Sequence, residues 1–298
     1  MAGFFGFFDY NKPGKGVDKD APEKRPFFLF FELAGRKFGR LILFNLIYFI
    51  ILLPILTVLY FLLYGLLFSW FSQSGGIGSP AGTGAGLTGL SLPLLPGVLF
   101  SVAQTLPLWL DAALLLLSVV LYGPASCGLA FMLCNFARQR HVWNSDFFVQ
   151  LRRNFKRGLA LGLLDILLFG LFVYNLGYPS DGAPPVLMIA KYGSGMLLTV
   201  YLLMRNYIFV LAVIDRQKIT RILKNAFFLA GLGLWRNLLT LVVNAALFVL
   251  VLFAWQFIEL ALVPLLLFSF TGFVAAFTCF PVIKKYLLDP KADAAHAE

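Results

Sequence analysis

From Leu41 to Phe71 the chain runs thirty-one residues without a formal charge. As a helix, that run would be about 46 Å long, longer than the ~30 Å hydrocarbon layer of a bilayer. A helix that is apolar all round is buried either in a large soluble core or in lipid. Composition decides between the two. Only 13% of the 298 residues are charged and 60% are hydrophobic, against about a quarter charged in a soluble domain. Within hydrocarbon every backbone polar group must be paired internally, which leaves the helix as the spanning element for such runs. The sequence therefore predicts an all-α membrane protein with crossings at 41–71, 111–137, 158–176, 186–214, 237–255 and 260–283. They form one transmembrane domain, 27–288, between a charged tail, 1–26, and a second tail, 289–298.

The net charge of +10 would point to nucleic acid in a soluble protein. Its placement here points to anionic lipid headgroups instead, and nucleic acid is not an expected partner. Lys and Arg number eight up to Arg40, six between the second and third crossings, five between the fourth and fifth, and three after the sixth. The opposite loops hold none unless Lys191, in the first turns of the fourth crossing, is counted. By the positive-inside rule the basic end and both termini are cytoplasmic, in a multi-pass protein of the cell membrane. A seventh crossing at Leu92–Leu110 would break this pattern. Pro93, Pro96 and Pro107 also divide that run too finely to span. The outer segment 72–97 is rich in Gly and Ser, and 178–185 is a turn-rich loop. Phe4 to Phe8 is too short for a signal-peptide core.

Three basic segments read as amphipathic helices lying in the interface. The first, from Pro26, carries Arg36, Lys37 and Arg40; the second carries Arg152, Arg153, Lys156 and Arg157; the third carries Arg221 and Lys224, with Arg236 at the membrane edge. In the second, Asn144 or Ser145 is placed to cap the start. Each segment precedes a hairpin of two crossings, so the six helices read as three hairpins with a surface helix each. A spacing supports the repeat. Lys37 precedes Asn45, Arg157 precedes Asp165 and Arg236 precedes Asn244, each by eight residues. Mere similarity among hydrophobic hairpins is the alternative account.

Ionisable residues at membrane depth are functional suspects. Asp165 and Arg205 lie roughly 10–14 Å deep on adjacent helices and are expected to pair, so that reversing one charge damages folding and reversing both restores it. Asn45, Asn135, Asn206 and Asn244 belong to the same candidate polar cluster, outlining a pocket open to the cytoplasm. Interhelical hydrogen bonds without a ligand are the plainer account of the same residues. Asp111, Glu259 and Lys191 read as anchors near the outer boundary. Cys127, Cys134 and Cys279 read as packing residues, and neither His141 nor His296 has partners for catalysis or metal binding. No catalytic motif, metal-ligand spacing or cofactor-binding loop is present in the sequence.

The stretch Leu121–Gly158 is similar to the signature of the YesL-like family, small integral membrane proteins of Gram-positive bacteria. The similarity rests on Gly123-Pro124-Ala125, the basic exit Arg138–Arg140, Asp146-Phe147-Phe148 and Arg153-Asn154-Phe155-Lys156. Gly35–Ile55, with Asn45 and Pro54, resembles the first crossing of the same family. The longer charged tail and the Gly-rich outer segment depart from it. The family has no established activity, and its members are often encoded beside carbohydrate-uptake systems. The resemblance implies a non-enzymatic accessory or scaffold protein, with carbohydrate transporter subunits as partners and a homo-oligomer left open. A small-solute transporter or channel using the polar pocket is the alternative. An enzyme acting on lipid-linked substrates is disfavoured, because no cluster of carboxylates or His supplies acid–base chemistry.

Overall fold

The computed structural model describes residues 26–73, 107–177, 184–214, 217–252 and 262–288. Regular structure among them is helical throughout: α1 (Pro26–Arg36), α2 (Phe38–Gln73), α3 (Leu108–Ala137), α4 (Ser145–Arg153), α5 (Phe155–Leu176), α6 (Pro185–Ile214), α7 (Ile219–Leu232), α8 (Leu234–Leu252) and α9 (Phe268–Ile283). A wider, π-type turn, Val263–Leu267, leads into α9, and another, Lys284–Leu288, follows it. The chain is an all-α, multi-pass membrane protein. Phe38–Val58, Trp109–Ala137, Phe155–Leu176, Pro185–Ile214 and Val263–Leu288 are each long and apolar enough to cross a bilayer, and α7 with α8, bent by 93°, reach that length only together, which makes five spans, or six with the bent pair counted as one. The expectations for 1–25, for the outer segments 74–106 and 178–183, and for Arg216, Glu259 and the 289–298 tail with His296 lie outside the described residues.

One backbone device recurs at the start of each hairpin. A single residue separates the short helix from the long one: Lys37, Asn154 and Gly233. Its N–H donates to the carbonyl four residues back, at 3.0 Å in all three, on Leu33, Gln150 and Leu229. Its carbonyl accepts from the N–H four residues on, at 2.9, 2.7 and 2.9 Å, from Leu41, Gly158 and Asn237. The junction residue thus has both its backbone groups bonded, one to each of the helices it joins. Counted from this residue, Asp165 and Asn244 both stand eleven positions on, whereas Asn45 stands eight on from Lys37. The spacing of eight from a basic residue therefore fails to superpose the first unit on the others; its equivalent position is Tyr48.

The hairpins form a ring. Within units, α2 packs on α3, α5 on α6 and α8 on α9. Between units, the returning helix of one meets the outgoing helix of the next: α3 with α5, α6 with α8, and α9 with α2. The returning helices α3, α6 and α9 also touch each other and form the inner layer. The short helices obey the same rule. Helix α4 lies on α3 and α7 on α6, while α1 reaches α9, where Phe30 stacks on Phe273 at 5.2 Å. Helix α4 docks through Phe147, fully buried and stacked on Phe44 at 5.6 Å. Helix α3 has neighbours on every side, and Tyr122 to Leu129 are buried without interruption.

Three glycines bring α3 and α5 together. A Cβ on Gly123 would fall 1.9 Å from the Gly158 carbonyl oxygen, and one on Gly162 would fall 2.6 Å from Gly123 Cα. Small residues of this kind let membrane helices approach backbone to backbone. Helix α2 runs unbroken through Pro54, and Ser118 of α3 donates to the nearby Ile51 carbonyl at 2.6 Å. One local expectation changes. Neither Asn144 nor Ser145 caps α4 through its side chain; Asp146 Oδ2 instead accepts the Trp143 N–H at 2.8 Å.

Candidate functional site

Asp165 lies ten residues into the 22-residue α5, roughly 15 Å from each end of that helix. It faces α3 and α6 and is almost fully buried. Arg205 of α6 donates through Nε to both carboxylate oxygens at 3.0 Å. Tyr201, one turn earlier on α6, donates its hydroxyl to Oδ1, and Tyr122 of α3 donates to Oδ2. Arg205 Nη2 then donates to the Tyr122 hydroxyl at 2.7 Å. One carboxylate thus receives a cation and two phenols from two neighbouring helices, which offsets the desolvation of its charge. Glycine packing sets this geometry, because Tyr122 precedes Gly123 and Asp165 follows Gly162 by three residues. Arg205 is less enclosed than its partner: its side chain is 42% exposed against 6% for Asp165.

The network extends to α2. Tyr48 donates to Ser126 Oγ at 2.7 Å while Ser126 donates to the Tyr122 carbonyl at 2.8 Å. Four helices, α2, α3, α5 and α6, are therefore tied at one level.

The other predicted residues go elsewhere. Asn45, fully buried, bridges α2 to the π-type turn. Its Nδ2 donates to the carbonyls of Val263 at 2.9 Å and Pro264 at 2.7 Å, and its Oδ1 accepts the Ser269 N–H at 2.7 Å. A widened turn ahead of an α-helix leaves such groups without a ladder partner, and Asn45 supplies one. Asn135 donates to Phe131 O of its own helix at 2.9 Å. Asn206 is half-buried, with no side-chain partner among the described residues. Asn244 Oδ1 is buried with no hydrogen-bond partner among the described residues. Of the six residues, the structure brings Asp165 and Arg205 together, while Asn45 and Asn135 bond elsewhere and Asn206 and the Asn244 Oδ1 make no side-chain hydrogen bond among the described residues. Sequence reasoning missed Tyr122 and Tyr201, whose rings read as ordinary apolar mass. It also missed Asn237, fully buried, which accepts from Tyr207 at 2.6 Å and donates to Ala230 O at 2.9 Å across the α7–α8 corner. Its signal was an Asn one turn beyond the glycine of a basic junction.

The basic residues gather at one end of the bundle. Arg40 donates to Val142 O at 2.8 Å, the Lys37 ammonium sits 5.7 Å over the Phe136 ring, and Arg138 lies 4.6 Å over Phe280. Burial, then the charges of Arg40 and Arg36, pushes the Lys37 ammonium below the ordinary lysine value. Arg36, Arg152, Arg153, Lys156, Arg221, Lys224 and Arg236 are exposed, while Lys37, Arg40 and Arg157 are half-buried. Beside them Phe27, Phe28, Trp143, Phe148, Phe227 and Trp235 expose half or more of their surface. Cations and amphipathic rings together form the pattern of a headgroup-level belt. Among the described residues, no group of three His, Cys, Asp or Glu side chains is arranged to hold a metal.

No protein-family model, curated protein or solved structure matches this chain, so its own geometry carries the functional reading.

Proposed function

We propose that the chain is a YesL-like, non-enzymatic accessory or scaffold protein of the cell membrane, associated with carbohydrate uptake. Its basic end and both termini face the cytoplasm, and its partners there are anionic lipid headgroups and transporter subunits. The observation that carries the scaffold reading is how the intramembrane polar groups are used. The Asp165 carboxylate is saturated by Arg205, Tyr122 and Tyr201, and Asn45 spends its whole amide on the backbone beside α9. Groups committed to holding helices together are not free to release a solute, which disfavours the transporter reading. The exposed short helices, rich in aromatic and basic side chains, are what a docking protein offers.

Purification in mild detergent, with the co-purifying proteins identified, tests this. A stoichiometric membrane transporter subunit is the expected result. Purification alone, combined with sugar movement in proteoliposomes, would overturn it in favour of the transporter.

A further inference from the structure

The corner between α7 and α8 borders an apolar hollow at the basic end. The two helices turn through 93° at Gly233, and with α6 they line an open cavity of ≈ 390 Å³. Small-molecule sites span about 300–1,000 Å³. Val200 and Leu203 of α6, Phe227, Phe228 and Gly231 of α7, and Leu234 of α8 line it, and no lining residue is polar. The cavity is open: a Cβ on Gly231 would meet nothing within 4 Å.

Apolar walls alone fit any hydrocarbon, and what lies next to them selects. Arg221, Lys224, Phe228 and Gly231 follow one another at three, four and three residues, so they form one stripe along α7. Arg221 and Lys224 are exposed, and α7 contains no acidic residue that would compete for them. A cationic stripe therefore runs straight into an apolar cavity. Just beyond it Trp235 exposes 84% of its surface, as an indole does at the headgroup level. We propose that this corner binds one anionic phospholipid, its phosphate on Arg221 and Lys224 and part of an acyl chain in the cavity. The inference rests on the proposed contact of the basic end with anionic headgroups, and is independent of the accessory role.

The test is native mass spectrometry of the whole protein released from nanodiscs holding equal phosphatidylglycerol and phosphatidylcholine. The wild type should retain one phosphatidylglycerol. Gly231→Leu fills the cavity from an open position and should reduce the retained lipid at least tenfold without lowering the melting temperature. Arg221→Gln with Lys224→Gln should leave the cavity intact and lower the preference for phosphatidylglycerol by roughly tenfold. Retention equal to wild type in both variants would overturn the proposal. So would a dimer that Gly231→Leu abolishes while bound lipid is unchanged, which would make a second copy the occupant. Should Gly231→Leu fail to fold, the charge variants alone still decide. Both nanodisc leaflets carry both lipids, so orientation does not enter. A negative result here leaves the accessory reading to the co-purification experiment.

Discussion

A lone carboxylate at the centre of a membrane helix costs roughly 2.5–3.5 kcal/mol on insertion. Asp165 meets that cost with partners that are specific to a carboxylate. Removing its cation leaves the charge behind, so Arg205→Gln should destabilise the protein by about 3 kcal/mol, read as the loss of folded protein in thermal melts in detergent. Asp165→Asn with Arg205→Gln should cost less than Arg205→Gln alone, because no charge is stranded. The structure also changes the expectation for exchanging the charges. Tyr122 and Tyr201 donate hydrogen bonds to position 165, and a guanidinium there has no lone pair to accept them. Asp165→Arg with Arg205→Asp should therefore restore less than half of the stability lost by either single reversal; full restoration would mean that the tyrosines contribute nothing. The pair itself was legible in the sequence, because two ionisable residues at similar depth on consecutive helices have few other options. The phenols were not, since a tyrosine at that depth looks like any other ring. Nor were the partners of Asn45, because a π-type turn has no sequence signature and Pro264 reads only as punctuation.

Among the elements, α3 and α5 depend most on a feature with no side chain. At Gly123 the obstacle is the Gly158 and Gly162 backbone, which cannot rotate aside as a side chain would. Gly123→Ala should separate the two helices, lengthen the Tyr122–Asp165 contact and cost upwards of about 3 kcal/mol. Gly170→Ala lies on the same helix with nothing within 4 Å of its Cβ, and should be neutral or stabilising by up to about 1 kcal/mol through helix propensity. Equal melting temperatures for the two variants would refute the close-packing account. The long elements were readable because uncharged length is a strong signal. Their corners were less so. Lys37, Asn154 and Gly233 occupy one structural position with three unrelated side chains, because the position is defined by backbone hydrogen bonds. That is why a repeat anchored on basic residues placed the first unit three residues out of step.

At the scale of the molecule, the sequence order of the hairpins is also their order around the ring, and all three corners lie at the same end. That end carries the charge asymmetry from which a cytoplasmic orientation is proposed, and labelling can decide it. Cys127, Cys134 and Cys279 are free and buried, so they should stay unmodified by a membrane-impermeant maleimide in the folded protein. His141→Cys adds one exposed thiol to the α3–α4 loop. It should react in inside-out vesicles and not in intact cells, and the reverse pattern would invert the proposed topology. The ring also has a consequence for biosynthesis. Asn45 finds its acceptors on Val263 and Pro264, 218 and 219 positions later in the chain. At about 5–20 residues per second of synthesis, the first crossing waits on the order of 10–45 s for them. Until then its amide has only provisional partners, so the seam between α2 and α9 that closes the ring is completed after α2 has already docked on α3.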